Sequence, residues 1–391
     1  MMRHPAFAAL ACLVPWAIAL PPAQGPPVFP VVVHVAVERP VPVVGPMPSR
    51  GSERPSNNAP QFVPWKLVTD LSPDDFEIFV DGQPRPVTSL SNRAAPVALV
   101  VLLDVSASTQ ISPDWLLEPL RKFLIPALKR GDRVAFGRFG ATQLRIDNRF
   151  TDVPREMERR ARELLGQRER EMQDGARTRT AVPPIANGLG PARPDASLHV
   201  PGMNGAFGLG ASPAWDAVDA AVTLLESQAP SARTGAGAST RSVQFQARAV
   251  ILVTDGRSSG NLHSLDEVIL HAAAADVPVS VVVETREHII RLTDTTSARL
   301  RPGVLLQAMA EMTGGGCADV FGPEVGRPQR PDEIRRWLGQ VLAQLVADLH
   351  NSYALEFASP APDRQLHRLE VRVRKPGLKV RARQAYLAKY E

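Results

Sequence analysis

Residues 97–103 read Val-Ala-Leu-Val-Val-Leu-Leu and end at Asp104. A strand with one wet face alternates apolar and polar residues. An unbroken apolar run belongs to a strand covered on both faces, which requires helices above and below a parallel sheet. Similar runs recur at 133–139, 249–254 and 277–283. Helical patterns separate them at 114–129, 154–165, 213–227, 264–274, 302–312 and 331–350. That alternation predicts an α/β fold with a doubly wound, mostly parallel sheet over 97–350. Pro119 and Pro126 should kink or shorten the first helix.

The two ends of the chain have a different texture. Residues 28–40 are rich in valine, and in 76–80 Phe76, Ile78 and Val80 alternate with polar positions before the turn pair Asp81-Gly82. A returning strand is expected over 86–90. After the last helix, 353–357, 366–374 and 378–386 again alternate, with Leu369, Val371 and Val373 on one face and a turn at 375–378. Neither set of short strands can bury an apolar face alone, so segments 28–93 and 353–391 are expected to pack into one smaller all-β domain. Two inserts, 166–210 and 229–242, are rich in small or turn-forming residues and break the rhythm of the larger domain.

Arg3 and His4 precede an apolar stretch that ends near Ala17-Ile18-Ala19. This predicts a signal peptide over 1–19 and an extracytoplasmic protein, periplasmic, envelope-associated or secreted, with no integral membrane span after cleavage. Ala9-Leu10-Ala11-Cys12 is a weak match to a lipidation box. Without the leader, Cys317 is the one thiol, so no intrachain disulfide is expected, and a buried, inert role is assigned to it. The net charge of +5 comes from scattered arginines, so there is no concentrated basic footprint and no nucleic-acid partner is expected.

In open α/β sheets ligands bind beyond the carboxyl ends of the strands. The first buried strand ends in Asp104-Val105-Ser106-Ala107-Ser108, and a later one ends in Thr254-Asp255-Gly256. Two carboxylates and two hydroxyls at one sheet edge form an all-oxygen set suited to a hard divalent cation. This Asp-x-Ser-x-Ser pattern resembles the metal-ion-dependent adhesion site (MIDAS) of von Willebrand factor A (vWA) domains. The resemblance implies a fifth ligand, a threonine before a middle helix, whose place Ser212 takes in Gly210-Ala211-Ser212-Pro213-Ala214-Trp215-Asp216. It also implies Mg²⁺, or Mn²⁺ or Ca²⁺, as the ion, and a protein partner that supplies an acidic side chain. The segments 71–82 and 371–386 are further similar to bacterial vWA-related proteins of the acidobacterial type.

Plainer readings compete at each position. Ser212-Pro213 alone reads as a helix N-cap with Pro at the first turn. Asp216 reads as a first-turn or supporting acid, Asp132 as a turn residue, and Ser112-Pro113-Asp114 as another cap. The chain lacks a His-Glu-x-x-His pair, a Gly-x-Ser-x-Gly elbow and a phosphate loop, and its histidines are dispersed. A non-enzymatic binding module is therefore the leading expectation. The alternatives are a structural envelope protein whose metal only stabilises the fold, and a metal-dependent hydrolase.

Overall fold

The computed structural model describes residues 29–39, 66–91, 96–106, 113–140, 144–178, 197–198, 212–228, 247–283, 288–291, 297–300, 303–319, 331–359, 363 and 365–388. The leader at 1–19, Cys12, Ser108, most of the insert at 166–210 and all of that at 229–242 lie outside them. No helix among the described residues is long and apolar enough to cross a membrane.

The amino-terminal strands are β1 (Phe29–Arg39), β2 (Lys66–Leu67), β3 (Phe76–Val80), β4 (Gln83–Arg85) and β5 (Val87–Ser91). Alternation then starts with β6 (Val97–Asp104), α1 (Pro113–Pro119), a π-turn at Leu120–Leu124, α2 (Ile125–Ala127), β7 (Arg133–Phe139), β8 (Arg145–Asp147) and α3 (Pro154–Thr178). It continues with β9 (Ser197–Leu198), α4 (Ala214–Ser227), β10 (Ala247–Thr254), α5 (Leu265–Ala274) and β11 (Val279–Val283). The hairpin β12 (His288–Arg291) and β13 (Ser297–Leu300) precedes α6 (Gly303–Thr313), β14 (Cys317–Asp319) and α7 (Pro331–His350). Four strands close the chain: β15 (Tyr353–Ser359), β16 (Leu366–Val373), β17 (Lys379–Ala382) and β18 (Ala385–Leu387).

The central sheet runs β14-β11-β10-β6-β7-β8-β9, parallel from β14 to β7 and antiparallel at β8 and β9. Every residue of β6 is buried. Val97, Leu99, Val101 and Leu103 face α1, α3 and α7, whereas Ala98, Val100 and Leu102 face α4, α5 and α6. The continuous apolar run is thus the product of two cores sharing one strand. The chain leaves β6 toward β7 and later returns to β10 on the other side of β6, so order reverses between β6 and β10.

The first helix breaks at its prolines as expected, and the third outruns its expected end. The first breaks into three pieces: Ile125 N donates to Leu120 O, five residues back, in a π-turn set between Pro119 and Pro126. Each proline removes a donor from the helical ladder, and the wider turn absorbs the misfit. The third helix runs on to Thr178 instead of stopping at 165. In its expected part, Glu156–Arg160, Glu158–Arg162 and Arg159–Glu163 pair at i,i+4 on the exposed face.

The chain ends interleave. One antiparallel sheet runs β17-β1-β15-β5 with β2 also on β1, and the other runs β18-β16-β3-β4. Val33, Val35 and Val37 of β1, Ile78 and Val80 of β3, Leu355 and Phe357 of β15, and Leu369 and Tyr386 share one core. Asp81 and Gly82 take φ 51° and 78°, the two positive values of a type I′ hairpin between β3 and β4. The strand expected after Pro86 forms as β5 but pairs with β15, so it belongs to the opposite sheet. Arg381 ion-pairs Glu38 of β1 and, against the α/β part, Asp348 of α7; there too Arg383 Nη1 donates to Ala273 O at 2.7 Å, and Gln384 N to Met312 O at 2.9 Å. Deleting residues 366–391 should strip β3 and β1 of partners and leave the buried Glu38 without its guanidinium. Limited proteolysis should then cut within 29–91 much faster than in the full chain; equal resistance would contradict this pairing.

Candidate metal centre

The register that joins Val253 to Leu103 sets Thr254 beside Asp104 at the carboxyl edge of the sheet, where strand order reverses. Val105 N continues the ladder to Phe139 O at 2.9 Å, which carries the chain over the edge of β7 before Ser106. Gly140 makes room for that turn. Its φ is +95°, and a Cβ there would sit 2.6 Å from Ser106 N.

Asp104 is buried, and both its carboxylate oxygens are engaged. Oδ1 accepts from Ser106 N at 2.9 Å. Oδ2 accepts from Thr254 Oγ1 at 2.7 Å and from Ser212 Oγ at 3.1 Å. Burial pushes the Asp104 carboxyl above its ordinary value, hydrogen bonds from Ser106 and Thr254 oppose that, and the nearby charge of Asp255 adds to it. Ser106, Ser212, Thr254 and Asp255 are also buried, and Asp255 Oδ1 accepts from Arg257 N at 2.9 Å. The structure therefore gathers Asp104, Ser106, Ser212 and Asp255 at one edge; Ser108 falls outside the described residues.

Ser212 does not cap its helix. The cap position falls on Pro213 with no side-chain cap bond, while the Ser212 hydroxyl goes to a carboxylate 108 residues away. The capping task passes to Asn261, whose Oδ1 accepts from Trp215 N at 2.9 Å. Thr254 was missed as a site residue because an apolar strand ending in threonine carries no local signal. Asp216 is more than a dipole partner: it accepts from Leu262 N, His263 N and His263 Nδ1, all near 2.9 Å.

Asp132 is no simple turn residue. It is buried and accepts from Val97 N, Lys129 N and His350 Nε2. His34, His263, His271, His350 and His367 are each tied to a carboxylate. His271 is pushed up to about 9, first by its hydrogen bond to Asp219 at 2.7 Å and also by Glu226. Cys317 is partly exposed rather than buried. Among the described residues no three His, Cys, Asp or Glu side chains converge as metal ligands, so a cation at Asp104 would depend on hydroxyls. The donors fit that ion: all are oxygens, two are carboxylates, and the buried pair repels in the absence of positive charge.

No family model and no curated protein matches the chain. Solved structures with similar portions include BatB from Bacteroides thetaiotaomicron, at 14% identity over 62% of this chain and 98% of that one, with a TM-score of 0.34. A von Willebrand factor type A protein from Catenulispora acidiphila is 11% identical over 81% and 63% of the two chains, with a TM-score of 0.38. Proximal thread matrix protein 1 from the mussel byssus, with a zinc-occupied MIDAS motif, is 12% identical over 63% and 47%, with a TM-score of 0.30. On its own strand order, the α/β part of this chain is a doubly wound, mostly parallel sheet with the Asp104-x-Ser106 turn at its switch point.

Proposed function

We propose that this is an exported, non-enzymatic protein that grips an acidic side chain of a protein partner through a divalent cation at Asp104, Ser106, Ser108, Ser212 and Asp255. The observation that carries the reading is the Ser212 hydroxyl meeting Asp104 Oδ2 beside Thr254 at the sheet's switch point. When bound, Mg²⁺, or Mn²⁺ or Ca²⁺ on the same oxygens, supplies a Lewis-acidic position for a partner carboxylate. Two protein carboxylates balance the ion's charge without exceeding it, so a third, from the partner, still gains by joining. Asp104 anchors the site, Ser106 and Ser212 offer neutral oxygens, and Thr254 orients Asp104 from within the sheet.

With this proposal go a leader at 1–19, a vWA-type domain at 97–350, and a smaller all-β domain from 28–93 and 353–391. The test is capture of partners from envelope extracts on the immobilised full chain, with Mg²⁺ or with chelator. Proteins retained in Mg²⁺ and released by chelator are expected, and Ser212→Ala should retain much less of them. Retention indifferent to chelator would instead favour a structural role for the ion.

A further inference from the structure

We infer that Asp216 is a positioning residue of the cation site, holding the loop after Asp255 against the start of α4 so that Ser212 and Asp255 are presented together. The inference rests on the proposed cation site and assigns its preorganisation to a side chain outside the ligand set.

Ser212 and Asp255 come from distant segments that no strand pairing joins directly. What joins them is a seam between residues 212–216 and 258–263. Ser212 N donates to Ser259 Oγ at 3.2 Å, and Ser212 O accepts from Ser259 N at 2.9 Å and Ser258 Oγ at 3.3 Å. Trp215 N donates to Asn261 Oδ1 at 2.9 Å. Asp216 closes the seam, its buried carboxylate taking Leu262 N at 2.9 Å and His263 N and Nδ1 at 2.9 Å each. The loop is anchored at its far end by a capping box: Ser264 N donates to Glu267 Oε2 at 2.7 Å and Glu267 N to Ser264 Oγ at 3.3 Å. At its near end Arg257 N bonds Asp255. Between these anchors, Asp216 supplies the carboxylate that takes the loop's backbone amides, with Asp219 3.9 Å from His263 Nε2, and bonds to a carboxylate are the strong ones.

Removing that acceptor leaves each ligand atom in place chemically but frees the loop from the helix. Partners that orient metal ligands typically carry about a 10–100-fold effect on affinity. Asp216→Asn, which keeps the side chain's shape, should weaken Mg²⁺ binding to the full chain at least about 10-fold by calorimetry. Asn261→Ala, a milder break in the same seam, should weaken it in the same direction. Val222→Ala, in the core of α4 away from the seam, serves as the control: it should lower the melting temperature while leaving affinity unchanged, measured well below every midpoint. In metal-free protein, hydrogen exchange at the Leu262 and His263 amides should accelerate in Asp216→Asn beyond the control.

Unchanged Mg²⁺ affinity in both seam variants, with the wild type binding normally, overturns the positioning role and leaves the cation site standing. Absence of Mg²⁺ binding to the wild type overturns the cation site itself. In that case unchanged amide exchange in Asp216→Asn also overturns the seam, whereas faster exchange upholds the seam and confines the failure to the ion.

Discussion

Asp132→Ala should destabilise the protein by about 2–6 kcal/mol, because it strips buried donors of their acceptor at about 1–3 kcal/mol each. The side chain is buried and bonds three donors: Val97 N at 2.8 Å, Lys129 N at 2.7 Å and His350 Nε2 at 2.8 Å. It therefore ties the entry of β6 to the turn before β7 and to the last residue of α7. Alanine leaves the Val97 amide and the His350 ring inside without an acceptor, and each abandoned donor costs about 1–3 kcal/mol. Asp132→Asn keeps one acceptor and should cost less. Burial alone would raise the Asp132 carboxyl, but the bonds from His350, Val97 and Lys129 outweigh it and hold the group below its ordinary value of 3.8. A depressed folded value means that the stabilisation is present above 3.8 and fades as pH falls through the folded value. The gap between wild type and Asp132→Ala in urea denaturation should accordingly narrow below pH 3.8. A loss under about 1 kcal/mol at neutral pH would place this contact among ordinary hydrogen bonds.

Asp104→Asn should separate stability from binding. In chelator the variant is expected to melt at or above the wild-type temperature, because it removes one of two neighbouring buried carboxylates while keeping an oxygen for Ser106 N and offering an amide to the Ser212 and Thr254 oxygens. In saturating Mg²⁺, at about 100 times Kd, the wild type should gain roughly 2.7 kcal/mol and the variant almost nothing. The order of the two melting curves then reverses between the conditions. A variant markedly less stable than wild type in chelator would show that the carboxylate serves the fold rather than an ion.

The elements that sequence revealed are those with a strong period. The unbroken apolar run of β6 demanded a two-sided core, and the Asp81-Gly82 pair demanded a tight turn; both are present. The extension of α3 to Thr178 was hidden because Gly166 and the charged and polar run after it carry no apolar stripe. Acidic turns at strand ends pointed to Asp104 and Asp255, since topology brings such ends together whatever lies between. Ser212 was legible as a site residue only through resemblance; as a local pattern it reads as a cap, and its hydroxyl's choice of Asp104 over its own helix is a tertiary decision. Asp132 and Thr254 went unread for the same reason, their partners lying 218 and 150 residues away, whereas Asp216 was read as a first-turn or supporting acid without its partner 46 residues on.

Titration calorimetry of the metal-free full chain with Mg²⁺, Mn²⁺ and Ca²⁺, alongside Asp104→Ala and Asp114→Ala, tests the central claim most directly. A single saturable cation site in the wild type and in Asp114→Ala, lost in Asp104→Ala, is the expected result. No binding of any of the three ions to the wild type, or equal binding by Asp104→Ala, would contradict it.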